Sequence, residues 1–333
     1  MFDTHCHLNF QAFDGRVDEV IANAKSVGVN QIVIPGTDVP TSEKAVAIAE
    51  KYEGIYAAVG IHPHHVFELW TMENRKLKVG VEDRESKIEK NQSSIFYHQH
   101  LSSIINHLSS LLSYPKVVAI GEVGIDRHIY QKTKYPDYKI AEEFVELQKT
   151  VLVEQIKLAH KYKKSLILHN REAKKDILAI LNTYYLILNT VPAVFHCCEP
   201  DSELLEFAKN HKMFIGVDGD ITYYKAKQEF IKTVPLDMLV LETDSPFLTP
   251  RSVESVESVE SVKSVKSVKS VKSVKSVKSV KSVKSVKSVI GNQNINEPKN
   301  IPLIAEFVAR LKNISVEEVG RRTTENARRL FRI

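Results

Sequence analysis

The chain has 333 residues, 43% of them hydrophobic, and a formal net charge of +5. Length and composition exclude both a disordered chain and a small stapled domain, and leave room for one large α/β domain or two ordinary ones. Its three cysteines, Cys6, Cys197 and Cys198, form no CxxC pair, which excludes a zinc ribbon and a disulfide framework and predicts a reducing, cytoplasmic setting.

Short apolar, β-branched runs punctuate the chain. They read MFDTH, QIVIPG, IYAAVG, KVVAIGE, SLILH, AVFH, MFIGV and MLVLETD in order. Helical patterns separate them, such as VDEVIANAKSVG after the first, SEKAVAIAEKY after the second and EEFVELQKTVLVEQIKLAHKY after the fourth. Two further helices are predicted near 300 to 311 and 315 to 331. Eight strands, each followed by a helix-forming segment, predict a parallel (β/α)8 TIM barrel spanning 1–333 as one domain. Asp3 and His5 stand where a signal peptide needs a basic start and an apolar run, and no apolar stretch approaches membrane-spanning length. Neither secretion nor membrane insertion is expected.

Two stretches interrupt the pattern. Residues 70–115 are polar and charge-mixed before an amphipathic HLSSIINHLSSLL, and read as an extended loop plus one helix. Residues 252–289 hold three SVE repeats followed by nine SVK repeats. A valine every third residue aligns on neither a helix face nor a strand face, so this low-complexity insertion after strand eight reads as a solvated loop rather than a lysine arm for phosphate. The tract contributes +6 and the rest of the chain sums to −1. The basic charge is therefore no evidence that the folded body attracts nucleic acid. Setting aside residues 70–115 and 251–296 leaves 241 residues, close to the ~250 of a single barrel.

The polar residues that end the strands carry the chemistry. Strand one ends in His5 and His7, strand four in Glu122, strand five in His169, strand six in His196 and strand eight in Asp244. Parallel strand ends share one face of a barrel, so these six groups are expected to converge as a mixed N/O ligand set. His5 and His7, two residues apart, point to the same side, whereas Cys6 points away into the core. Six ligands exceed the need of one tetrahedral ion. They favour two divalent ions, Mg, Mn or Zn, bridged by Glu122, which would activate water and clamp both oxygens of a displacement. Asp244 is expected to combine ligation with accepting the proton from that water.

The motifs DTHCHLNF, VGIHPH, AIGEVGID, LILHNREA, AVFHC and VLETDSPFLTP resemble the TatD-related metal-dependent deoxyribonucleases, a branch of the amidohydrolase-like barrels. The resemblance extends to the C-terminal VEEVGRRTTENARRLF. It implies a TIM barrel, two-metal hydrolysis of DNA, and His5, His7, Glu122, His169, His196 and Asp244 as ligands. Arg171, two residues past His169, and His64 in HPHH are candidate substrate contacts, the first for a phosphate pairing two donors of one guanidinium. His62 and His65 read as loop packing. Where the family continues with a Phe-Ser-Gly turn this chain has Cys198, Glu199 and Pro200, and Arg127 and His128 replace an aromatic pair after Asp126.

The expected partner is therefore DNA, as single strands or ends, with no membrane and no protein partner legible. An amide or ester hydrolase remains open because the same activated water attacks a carbonyl. A non-enzymatic protein with a structural metal is disfavoured by the six-ligand set.

Overall fold

The computed structural model describes residues 1–71, 87–135, 137–251 and 295–333. Eight parallel strands pair in sequence order: β1 (Phe2–Asp3), β2 (Gln31–Pro35), β3 (Ile55–Val59), β4 (Val117–Asp126), β5 (Ser165–Arg171), β6 (Ala193–Phe195), β7 (Phe214–Val217) and β8 (Leu239–Leu241). The barrel closes where β1 and β8 run out. Thr4 N–H donates to Leu241 O at 3.0 Å, Asp244 N–H to His5 O at 2.9 Å and His7 N–H to Ser245 O at 2.8 Å. The Asp3 carboxylate reinforces this seam, accepting from Thr243 Oγ1 at 2.6 Å, Thr243 N at 3.0 Å and His5 N at 3.2 Å.

The helices between strands include α1 (Val17–Ser26), α2 (Val39–Lys51), α3 (Lys87–Leu111), α4 (Glu142–Tyr162), α5 (Lys174–Thr183), α6 (Ser202–Asn210) and α7 (Lys225–Thr233). Their starts are written in the sequence. Asp38 caps α2 in a reciprocal box with Thr41, and Asp201 caps α6 by accepting from Glu203 N and Leu204 N. The helix expected after β3 is longer than the amphipathic stretch suggested: α3 already begins at Lys87, inside text read as loop. The residues before it, 72–86, and the SVE/SVK tract lie outside the described residues.

Two helices end the chain, α8 (Ile301–Lys312) and α9 (Val316–Phe331). The second plugs the barrel. Ala327, Leu330 and Phe331 pack with one or more inward residues from every strand, Phe2, Val33, Ala58, Val118, Ile167, Val194, Phe214 and Val240 among them. That closes the N-terminal mouth and leaves the other end for a site. The larger core lies between barrel and helices, where Val20, Ile34, Ala45, Val59, Phe144, Ile156 and Ile304 are buried.

Alternation along each strand then dictates what lines the open end. Ile167 inward puts His169 inward, Val194 does the same for His196, Phe214 for Gly216 and Asp218, and Val240 for Glu242 and Asp244. Helix α4 fixes two of the strand ends from outside. Gln148 and Gln155, seven residues apart and both buried, bracket the backbone in the same way. Gln148 Oε1 accepts from Asp126 N at 2.8 Å and its Nε2 donates to Asp126 O at 3.0 Å. Gln155 Oε1 accepts from Ile61 N at 2.7 Å and its Nε2 donates to Ile61 O at 3.2 Å. Gln155→Leu strands both Ile61 groups away from water, and is expected to cost about 2 kcal/mol. Urea midpoints check this; an unchanged midpoint would mean that water replaces the amide.

Candidate metal centre

All six strand-end groups meet at the C-terminal mouth. His5 Nε2 lies 3.2 Å from His7 Nε2 and 3.3 Å from Glu122 Oε2. His7 Nε2 lies 3.7 Å from the same carboxylate oxygen and 3.5 Å from Asp244 Oδ1. The other Glu122 oxygen, Oε1, faces His169 Nδ1 at 2.7 Å, His62 Nε2 at 3.5 Å and His196 Nε2 at 3.7 Å. His196 Nε2 is also 3.8 Å from Asp244 Oδ1, and its ring stacks on that of His5 with centroids 3.5 Å apart. Glu122 thus stands between two groups of imidazoles, one oxygen turned to each. Asp244 holds a left-handed backbone, φ 52°, which aspartate tolerates better than most residues and which marks a constrained position.

Two outer carboxylates orient these rings. Asp126 Oδ2 lies 3.1 Å from His169 Nε2, and Glu242 Oε1 lies 3.1 Å from His196 Nδ1. Each lies against the far nitrogen of a histidine whose near nitrogen faces Glu122, Asp126 in a hydrogen bond and Glu242 as a close charge, the carboxylate–imidazole arrangement that supports metal-binding histidines. Glu242 Oε1 also accepts from Cys197 N at 2.6 Å. Room for this carboxylate comes from Gly216, where an added Cβ would sit 2.4 Å from Glu242 Oε1.

The electrostatics fit a cation. Burial, then the neighbouring His196, lowers the His5 pKa, so a neutral ring offers its lone pair. Burial opposes charge on Glu122, but His62, His196, His169 and His5 pull its carboxyl well below the usual range. Burial likewise opposes a proton on His196 and His169. Glu242 and Glu122 nevertheless push His196 up to about 10, and Asp126 and Glu122 push His169 up to about 9. The pocket draws positive charge to itself, and a divalent ion can supply it in place of protons. Buried Nδ1 atoms of His5 and His7 have no hydrogen-bond partner among the described residues. Ligand atoms lie within 4.8 Å of one another in each of the sets His5–His7–Glu122, His5–His196–Asp244 and His62–Asp126–His169.

The histidines of HPHH occupy other places than their sequence suggested. His62 is in the site, with Nε2 3.3 Å from His169 Nδ1. Its Nδ1 accepts from His64 N at 3.1 Å, which places the proton of the neutral ring on Nε2. Burial, then His169, lowers its pKa to about 4, so the ring is neutral near pH 7. His64 is turned away: its Nε2 lies 2.7 Å from Thr133 Oγ1 and its ring packs on Tyr130, Tyr135 and Tyr138. Arg171 reaches the rim, its guanidinium 5.4 Å above the Tyr130 ring and its Nη1 donating to Tyr130 Oη at 3.3 Å. The basic residues after Asp126 are already engaged, Arg127 with Asp176 at 2.6 Å and Glu142 at 2.8 Å, His128 with Glu172 at 2.7 Å. Cys6 is buried and bridges to Ser245, away from the imidazoles.

Sequence reasoning missed His62, Asp126 and Glu242. The last two had a signal. Asp126 is four residues past Glu122 and Glu242 two before Asp244, even spacings that share a strand face.

The family model described as "TatD related DNase" matches residues 2–332. The chain belongs to the TatD family. It is 30% identical over 335 residues to an uncharacterized metal-dependent hydrolase, YabD, of Bacillus subtilis, covering 100% of this chain and 99% of that protein. A TatD protein of Cronobacter sakazakii named a 3'-5' ssDNA/RNA exonuclease is 29% identical over 257 residues, 76% of this chain and 81% of the relative. The crystal structure of YjjV, a TatD homologue of Escherichia coli K12, superposes with a TM-score of 0.68 at 24% identity, covering 100% of this chain and 98% of that one, and shows the shared fold. TatD membership makes the chain a metal-dependent hydrolase. Among the described residues no helix is long and apolar enough to cross a membrane.

Proposed function

We propose that this TatD protein is a two-metal phosphodiesterase that cleaves DNA as single strands or from ends. The observation that carries the reading is the Glu122 carboxylate, one oxygen turned to His5 and His7 and the other to His169, His62 and His196. A shared carboxylate between two imidazole groups is the donor arrangement that suits a pair of divalent cations. His5, His7, Glu122, His169, His196 and Asp244 would hold them. Ions bound there would supply Lewis acidity and water activation for an in-line displacement.

The chain's own residues complete the work. Asp244 Oδ1, beside His5, His7 and His196, accepts the proton lost by the attacking water. His62 donates through Nε2–H to a phosphate oxygen, and so takes the place of His64 as the substrate contact in the HPHH turn. Arg171, at the rim, pairs with a neighbouring phosphate. The naming of TatD relatives as a deoxyribonuclease in Schizosaccharomyces pombe and as a ssDNA/RNA exonuclease in Cronobacter supports a nucleic-acid substrate.

The test is cleavage of single-stranded DNA by metal-stripped protein resupplied with Mg2+, Mn2+ or Zn2+, beside Asp244→Asn to exclude a contaminating nuclease. Activity is expected to vanish on stripping, return with one of the ions, and fall at least about a hundredfold in the variant. No cleavage with any ion despite metal uptake would transfer the site to amide or ester substrates.

A further inference from the structure

The turn just past Asp244 carries an aromatic ring that the barrel does not use. Phe247 is 52% exposed, an unusual setting for a large apolar side chain beside a buried site. Its position is not that of a loose loop. Phe247 N–H donates to Asp244 O at 2.9 Å, and Phe247 O accepts from Asn296 Nδ2 at 2.6 Å. Its ring stands edge-on to Phe10, centroids 6.2 Å apart at 74°, and edge-on to His7 at 6.3 Å and 70°. Phe10 in turn stacks face to face on His7, 4.2 Å apart at 18°. The two phenylalanines and His7 therefore form one wall, whose innermost ring belongs to the metal-binding set.

The same lip continues outward with a cation. Arg251, four residues beyond Phe247, lies over the Tyr223 ring at 4.7 Å and its backbone N–H donates to Thr222 Oγ1 at 2.8 Å. The loop bearing Tyr223 is pressed onto the turn bearing Phe247, because a Cβ on Gly219 would fall 2.0 Å from Leu248 O. Exposed aromatic faces followed by a guanidinium, fixed on one rigid lip, match the alternation of bases and phosphates in an unpaired nucleic-acid strand.

We propose that Phe247, backed by Phe10, is a stacking platform for the unpaired base next to the scissile phosphate, with Arg251 meeting a phosphate further along. The proposal rests on the phosphodiesterase reading and adds its selectivity. In a duplex each base is already stacked and has no face to give, so the platform admits single strands and frayed ends.

The test is binding by metal-free protein, where no cleavage intervenes, of an oligodeoxynucleotide carrying 2-aminopurine, whose fluorescence falls when the base stacks. Wild type is expected to quench it. Phe247→Ala is expected to abolish the quenching and weaken binding about tenfold, with Phe247→Trp restoring both. On an oligonucleotide with an abasic residue at that position, the wild type and Phe247→Ala should bind alike, so that removing ring and base together costs no more than removing either. Unchanged melting temperatures confirm that the exposed position has not altered the fold. Affinity of Phe247→Ala within twofold of wild type on the ordinary strand, no quenching by wild type, or equal affinity for duplex overturns the platform. Quenched binding without cleavage under any ion upholds the platform and defeats the phosphodiesterase reading. Cleavage indifferent to Phe247 does the reverse.

Discussion

Glu122→Gln is expected to lower turnover at least about a thousandfold while leaving the melting temperature near that of the wild type. A glutamine has almost the same shape, but only one of its two terminal atoms accepts. Whichever way the amide is turned, an N–H2 group faces either His5 and His7 or His169, His62 and His196, all within 3.7 Å of the carboxylate. One imidazole group loses its shared anion, and the local charge that draws a cation falls by one unit. Metal content by mass spectrometry should drop with activity. A variant retaining its metal and more than a tenth of the wild-type rate would show that the bridge is not needed.

The second large effect lies outside the proposed site. Lys227 is fully buried, with Nζ 2.6 Å from Asp218 Oδ2, 2.8 Å from Asp220 Oδ1 and 4.0 Å from Cys197 Sγ. Lys227→Met keeps the volume and leaves two carboxylates facing each other without a counter-ion. Breaking a buried pair in this way costs about 3 to 5 kcal/mol, a fall in Tm of about 4 to 7 °C for a chain of this size. The pH dependence gives the sign. Burial opposes charge on Asp218, but Lys227 holds its carboxyl well below the usual range. In the wild type the Lys227–Asp218 pair contributes stability above about pH 4 and loses it as the pH falls through the folded pKa, whereas Asp220, which burial pushes up to about 8 against the pull of Lys227, subtracts stability as the pH rises above about 4. In the variant the carboxylates are unpaired and their pKa rises, so its deficit should narrow as the pH falls toward 5. Adding Asp218→Asn should recover part of the loss. A deficit under about 1 kcal/mol at pH 7 would mean that water reaches the cluster.

The barrel was legible because its signals are local. Each strand is a short β-branched run, each helix an apolar stripe with its own cap, and their alternation admits few topologies. Parallel pairing turned a list of strand ends into a prediction of convergence, and the structure brings His5, His7, Glu122, His169, His196 and Asp244 together. What was not legible depended on side-chain direction after a strand ends. In HPHH two neighbouring histidines have similar sequence surroundings. The turn from Pro63 to His65, capped by His62 itself, aims the first into the site and the second into a tyrosine cluster. The partners of Arg127, likewise, are Asp176 and Glu142, 49 and 15 residues away, and no spacing rule announces them. The polar text from Lys87 onward reads as loop because it carries no strong apolar stripe, yet the helix starts at Lys87.

The seam between β1 and β8 has a consequence for how the molecule comes into being. Six of its eight strands can pair with both neighbours as the chain lengthens, yet His5 and Asp244 become neighbours only when residues about 240 positions apart are joined. During synthesis, a chain ending before Leu239 would hold every proposed ligand except Asp244, on a sheet with two open edges. Such an intermediate is poorly protected from pairing with other chains, and closing it demands the largest loop entropy in the fold. The proposed metal centre is therefore among the last features to form, and nascent or truncated chains carry its histidines without its geometry.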